Sequence, residues 1–230
     1  MRKLGLIGCG PESIVPYYLG VVQGVRARVG GGMFVPGMTI ECLSCLDATH
    51  RADEAYLSEL TDRLAAGVDC LVAAGCTVAA LGCDAGHIVF DELQGRSPIP
   101  LVSMVDAMRE ELIRRGVRRP ILLGTAAAMR GAYLKVPLVK AGLQVMVPGE
   151  GDRAWLGGVI ADELEQGVVH DETVERLARL VADGAEHGAD AVVAACAGLA
   201  PLVDRATLGL PVIDTFQVHV DALVDAMLDE

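Results

Sequence analysis

No apolar run in this 230-residue chain reaches the roughly 18 residues that a membrane-crossing helix needs, because Gly, Asp and Arg interrupt each one. A helical membrane span is therefore excluded, although hydrophobic residues make up 52% of the chain. Positive charge is scarce as well: 19 Lys and Arg stand against 31 Asp and Glu, a formal net charge of −12. Such a balance argues against nucleic acid or an anionic membrane as a partner. Regular cysteine spacing is also lacking. Seven cysteines, an odd number, fit reduced thiols in a cytoplasm better than a disulfide framework. The opening residues Met1–Gly8 lack the long apolar stretch and cleavage site of a signal peptide, and they read as a buried strand. Cys42-Leu43-Ser44-Cys45 has metal-ligand spacing but no second Cys/His pair to match it, so no metal is expected.

What the chain does contain is an internal repeat. The stretch Ala79-Ala80-Leu81-Gly82-Cys83 returns as Val192-Val193-Ala194-Ala195-Cys196, an apolar run ending in a cysteine. Gly75 and Gly188 lie the same 113 residues apart as Cys83 and Cys196, and Pro100 and Pro211 lie 111 apart. A shift of two residues over such a window indicates duplication, hence two related halves.

Short apolar runs alternate with longer stretches of helical periodicity. The runs predict strands at Leu4–Gly8, Thr39–Leu46, Val78–Gly82, Leu101–Ser103, Pro120–Gly124, Gln144–Val147, Ala191–Ala195 and Val212–Asp214. Helices are predicted at Ser58–Ala74, Asp106–Arg115 and Asp171–His187, among others. Continuously apolar strands between helices indicate parallel sheets covered on both faces. The expected fold class is thus α/β, with two pseudo-symmetric Rossmann-like lobes of roughly four parallel strands each. The first lobe is placed at 1–103 plus 216–230 and the second at 104–215, with the active site in the cleft between them.

In parallel sheets, ligands bind where strand C-termini meet helix N-termini, and both repeated cysteines fall at that level. A helix N-terminus favours thiolate. Two acid/base groups on opposite sides of a carbon are what stereoinversion at an acidic C–H requires, one removing a proton and the other delivering one. An isolated strand-end cysteine is usually a small buried hydrophobe, and Cys42, Cys70 and Cys76 are read that way. Duplication at equivalent positions sets Cys83 and Cys196 apart. Cys9, in the loop after the first strand, is placed to reach the same site.

These residues resemble the aspartate/glutamate racemase superfamily, which includes hydantoin racemases, over nearly the whole chain. The resemblance is carried by Leu4-Gly5-Leu6-Ile7-Gly8 with Glu12, Ser13 and Pro16-Tyr17-Tyr18, and by Cys83 with His87 four residues on. Gly124-Thr125 with Met129, Asp152-Arg153, and Leu210-Pro211-Val212-Ile213-Asp214-Thr215 with His219 complete it. It implies two α/β lobes, no pyridoxal phosphate, no metal, Cys83 and Cys196 as paired acid/base thiols, and a homodimer. Two departures fall at the site. Asp84-Ala85 stand where the amino-acid racemases have Asn-Thr, and Ala197-Gly198 where they have Thr-Glu. The missing side chains hold the α-carboxylate and ammonium of free amino acids, so a hydantoin-like ring is favoured as substrate.

The expected site is therefore Cys83, Cys196, Asp84 and His87 for catalysis. Cys9, Glu12, Ser13, Ala85, Gly124, Thr125, Arg153, Ala197 and Gly198 are expected around the substrate. Asp84 is expected either to accept a hydrogen bond from a ring N–H or to orient a water. His87 either supports the Cys83 thiolate and carries protons or is a satisfied helix histidine. Arg153 either binds a distal carboxylate or is a solvated arginine, and Arg51 is a weaker choice for the same task. Three function classes follow: a cofactor-independent racemase or epimerase; a same-fold enzyme with a cysteine nucleophile or acid, such as a thiohydantoin desulfurase, decarboxylase or cis-trans isomerase; and a small-ligand binding protein.

Overall fold

Four segments, Leu4–Gly8, Val78–Leu81, Pro120–Leu123 and Ala191–Ala194, are buried at every residue. This is the pattern of parallel strands with helices on both faces. In the computed structural model, which describes residues 1–8, 11–32, 34–43 and 53–229, they belong to two separate sheets. The first sheet contains β1 (Leu4–Gly8), β2 (Met38–Cys42), β3 (Val78–Leu81) and β4 (Leu101–Val102), in the order β2-β1-β3-β4. The second contains β5 (Pro120–Leu123), β6 (Ala191–Ala194) and β7 (Val212–Asp214), in the order β5-β6-β7. Every pairing is parallel. Met1–Met104 with His219–Glu230 form one compact unit, and Val105–Val218 form the other. Among the described residues no helix is long and apolar enough to cross a membrane.

The repeat is visible bond by bond. Helix Glu54–Ala73 ends at Gly75 (φ 81°), with Gly75 N–H donating to Val72 O and Cys76 N–H to Leu71 O. Helix Asp171–Glu186 ends at Gly188 (φ 91°), with Gly188 N–H donating to Ala185 O and Ala189 N–H to Gly184 O. Both are Schellman endings, in which the left-handed residue is almost free of strain only if it lacks a Cβ. Each ending launches the strand that carries a cysteine. Thr77 N–H then donates to Lys3 O and Gly82 N–H to Ile7 O; their counterparts are Asp190 N–H to Arg119 O and Ala195 N–H to Leu123 O.

Each lobe has its own core. In the first, Ile7, Leu60, Leu64, Val68, Leu71, Ala79, Leu81 and Leu93 pack together. In the second, Ile121, Leu123, Leu156, Leu177, Val181, Val192 and Leu202 do so. Helices Glu54–Ala73, Met104–Arg114 and Asp171–Glu186 match the three stretches of predicted periodicity, each ending one residue earlier. The first of these starts four residues before the predicted Ser58, because Asp53 accepts a hydrogen bond from Tyr56 N (3.0 Å) and caps the helix earlier.

One predicted strand is not a strand. Gln144–Val147 makes an isolated parallel bridge, Met146 with Ile121, so among the described residues the second sheet has three strands rather than four. The segment does lie along β5: Gln144 N–H donates to Arg118 O, Met146 N–H to Pro120 O and Leu122 N–H to Met146 O. The next bond inward needs an N–H on residue 120 and the next outward one on residue 148. Both are prolines. Two missing donors cut the ladder to a single bridge.

Glu111, on helix Met104–Arg114, illustrates local electrostatics at the helix end. Arg114 grips its carboxylate with two bonds of 2.7 Å, and Arg115 adds a third. The hydrogen bonds from Arg114 hold Glu111 down to about 2, burial opposing and Arg115 helping. A carboxyl whose folded-state value is depressed stabilises the fold above its ordinary value, and that stability is lost as pH falls toward about 2. Glu111→Gln is therefore expected to lower the urea midpoint at pH 7. The gap from wild type should close progressively below pH 4.5 in denaturation series.

Candidate active site

The ladder of the first sheet ends at Leu81, and Gly82 adds one further bond to Ile7 O (2.7 Å). Cys83 is the first residue past it, part-buried at the C-terminal end of β3. A 3-10 turn, Ala85–Val89, begins two residues later. Asp84 caps the turn, its Oδ1 accepting from Ala85 N (2.9 Å) while its carbonyl accepts from His87 N. Burial pushes the Asp84 carboxyl above its ordinary value, and the bond from the Ala85 N–H opposes the shift. Ala85 is part-buried. Gly86 matters sterically: a Cβ there would lie 3.3 Å from Cys83 Sγ and 3.1 Å from Leu81 Cδ1. The thiol thus rests beside bare backbone.

His87 is 3% exposed, and both its ring nitrogens bond to the main chain. Nδ1 lies 3.0 Å from Cys83 O, and Met104 N–H donates to Nε2 at 3.2 Å. His219, fully buried, lies beside it with ring centroids 5.9 Å apart. Its Nδ1 is 2.7 Å from Tyr17 Oη and its Nε2 3.1 Å from Val102 O. Burial pushes His219 down to about 3, the Val102 carbonyl opposing. From the sequence, Tyr17 and His219 enter only as residues of the family resemblance. The available signal was a histidine on the apolar helix Thr215–Leu228, between Val218 and Val220.

The second lobe repeats the first in outline. Ala195 N–H bonds to Leu123 O (2.7 Å), and Cys196 follows, part-buried at the end of β6. A 3-10 turn at Ala197–Leu199 comes next, with Leu199 N–H bonded to Cys196 O. A Cβ on Gly198 would sit 3.6 Å from Cys196 Sγ, an ordinary contact. Gly124 packs closely at the end of β5, where a Cβ would come 3.3 Å from Ala195 O. Thr125 Oγ1 accepts from Ala128 N (3.1 Å) and caps helix Ala126–Arg130. Asp214, at the end of β7, is pushed up by burial, although Phe216 N–H bonds to its Oδ1.

Arg153 lies in helix Glu150–Asp162, half-buried. Its Nε is buried and has no hydrogen-bond partner among the described residues. Its neighbour Asp152 is engaged elsewhere, with Arg176, which also stacks 4.2 Å from the Trp155 ring centroid. Glu12 and Ser13 fall in helix Pro11–Arg28, and Ala197 in its turn, but their side chains lie outside the described residues. Cys9, Cys45 and Arg51 lie outside them altogether. Cys42 and Cys70 are exposed rather than the buried hydrophobes expected, whereas Cys76 is buried.

Comparison with known proteins bears on what this arrangement does. A profile of the family described as Asp/Glu/Hydantoin racemase matches residues 6–223. The broad specificity amino-acid racemase RacX of Bacillus subtilis (strain 168) is 21% identical over 91% of both chains. A crystal structure of an aspartate racemase homologue from Pyrococcus horikoshii OT3 aligns over all of both chains at 26% identity, with a TM-score of 0.86. The aspartate racemase of Picrophilus torridus shares the fold at 18% identity and a TM-score of 0.74, over 99% of this chain and 94% of its own.

Proposed function

The chain belongs to the Asp/Glu/Hydantoin racemase family, and we propose that it inverts the acidic carbon of a small amino-acid derivative with Cys83 and Cys196 as its two acid/base groups. It is an isomerase of the racemase type. The observation that carries the reading is the matched pair of cysteines. Each is the first residue past the extended ladder of its strand, followed by a 3-10 turn, with a glycine beside its sulfur.

In one direction a thiolate takes the proton from the carbon, leaving a carbanion delocalised into the adjacent carbonyl. The other thiol then protonates the opposite face. The first cysteine ends as thiol and the second as thiolate, and exchange with solvent resets the pair. Asp84, its carboxyl raised by burial, is a second titratable group in the Cys83 loop.

The favoured substrate is a hydantoin-like ring rather than a free amino acid. Ala85, Ala197 and Gly198 offer no polar side chain to a free α-carboxylate and ammonium. Leaving those charges unpaired costs on the order of several kcal/mol. A ring substrate has neither charge. Arg153 brings an unpaired buried Nε–H, which supports a role in binding a carbonyl or distal carboxylate. In deuterium oxide, the purified protein is expected to exchange the C5 proton of 5-substituted hydantoins without net turnover. Free L-aspartate should exchange at least about 100-fold more slowly. Efficient racemisation of free L-aspartate would sink the substrate assignment while leaving the two-thiol mechanism standing.

The asymmetry between the two thiols supports a second reading. Cys196 is followed by the small residues Ala197 and Gly198, whereas Cys83 has the titratable Asp84 beside it. If the reaction is instead a desulfurisation or decarboxylation, Cys196 is the nucleophile. Release of sulfide or carbon dioxide, with a trapped adduct on Cys196 by mass spectrometry, is the signature. An adduct on Cys83 alone reverses the assignment.

A further inference from the structure

Two buried histidines of the first lobe bond to the backbone at Cys83 and at the end of β4 in a way that fixes their protonation. A carbonyl oxygen only accepts, so Nδ1 of His87 donates to Cys83 O. A backbone N–H only donates, so Nε2 of His87 accepts from Met104. His87 is thus neutral, and a proton on Nε2 would face the Met104 N–H head-on. By the same reasoning, Nε2 of His219 donates to Val102 O and Nδ1 accepts from the Tyr17 hydroxyl.

The two imidazoles therefore take hold of both ends of Val102-Ser103-Met104, the exit of β4, and one of them carries that hold on to Cys83. The packing is equally specific. His87 stacks parallel on Phe90 (1° between planes, centroids 5.4 Å apart), and His219 lies edge-on to both His87 and Tyr17.

We infer that His87 and His219, with Tyr17, are positioning residues that set the Cys83 loop through its own carbonyl and carry no proton in the reaction. The role in the reaction rests on the racemase reading above; the geometric assignment does not. Among the described residues, the titratable neighbours of His87 include Cys83 and Asp84, whose carbonyls bond its Nδ1 and backbone N–H, and His219 from the C-terminal helix, which bonds Tyr17 in turn. An imidazolium at His87 would lower the Cys83 thiol by charge; a neutral ring gives no such help.

The test is run on the full-length protein with His87→Gln, His87→Leu and Tyr17→Phe. Gln keeps one donor and one acceptor; Leu keeps neither. The first readout needs no substrate: the rate of iodoacetamide alkylation at Cys83 and Cys196, resolved by peptide mass spectrometry from pH 6 to 10. In His87→Gln the Cys83 midpoint is expected to stay within about 0.3 pH unit of wild type, with Cys196 as internal reference. A rise of about one unit or more overturns the inference, because it reveals a charged partner. The second readout is α-proton exchange. His87→Leu should lose roughly 100-fold in kcat with KM little changed, Tyr17→Phe should lose several-fold, and His87→Gln should recover to within about fivefold of wild type. A Gln variant as inactive as the Leu variant shows that the imidazole itself is required and overturns the inference. Should His87→Leu not fold, the Gln and Phe variants still decide. If wild type exchanges no substrate, the racemase reading fails, while the alkylation profiles still judge the protonation of His87.

Discussion

Replacing Cys83 by Ser is expected to lower racemisation by roughly 10²- to 10⁴-fold, and replacing Cys196 should do the same. A serine hydroxyl is far too weak an acid to be ionised near neutral pH, so each variant loses the group that serves one face of the carbon. The informative result is what remains. With one thiol left, a proton can still be taken from one enantiomer and returned to the same face, so each variant should wash deuterium into a single enantiomer without inverting it. The two variants should show opposite handedness in this residual exchange. Chiral chromatography of products formed in deuterium oxide reads both quantities at once. Full racemisation by either variant would remove that cysteine from the mechanism and leave a one-base enzyme.

Leu81→Ala should have the largest effect on stability. Leu81 is fully buried in the core of the first lobe, with Ile7, Leu64 and Leu71. Its truncation should cost about 2–5 kcal/mol through lost transfer energy and the cavity left behind. That corresponds to a drop of roughly 5–15 °C in melting temperature. The same side chain forms the floor of the Cys83 loop, since its Cδ1 lies where a Cβ on Gly86 would make contact. Activity should fall by about tenfold even at temperatures where the variant is fully folded, because the loop loses its support. A matched truncation of Leu177, buried in the core of the other lobe, supplies the control for stability loss alone.

The parts of this protein that sequence made readable are those whose physics is local. Leu4–Gly8 and Val78–Leu81 announce themselves because a strand covered on both faces must be apolar at every position. Gly75 and Gly188 mark helix ends because a left-handed residue favours glycine wherever it occurs. The paired cysteines were legible because duplication preserves spacing. The failures involve partners distant in the chain. Gln144–Val147 looks like any short strand until Pro120 is found opposite it, 24 residues away in sequence. His87 could be read two ways from sequence because its partner Met104 is 17 residues on and is a backbone group, which leaves no trace in residue identity. Tyr17 and His219 are 202 residues apart, and nothing short of the fold brings them together. Arg153 gave no sign that its Nε would be buried without a partner, because that depends on what the surrounding helices leave uncovered.

The two prolines that cut the second sheet short also bear on how the protein behaves in a crowded solution. The outer edge of β5 would otherwise be a row of unpaired donors and acceptors, open to a strand from another molecule. Residues 144–147 cover it, yet the cover ends at once, because Pro148 has no N–H to continue the ladder. A single bridge flanked by proline is too short to serve as a template for further strand addition. What reads as an incomplete fourth strand thus closes the edge of β5, a strand buried at every residue, without offering a new edge in its place.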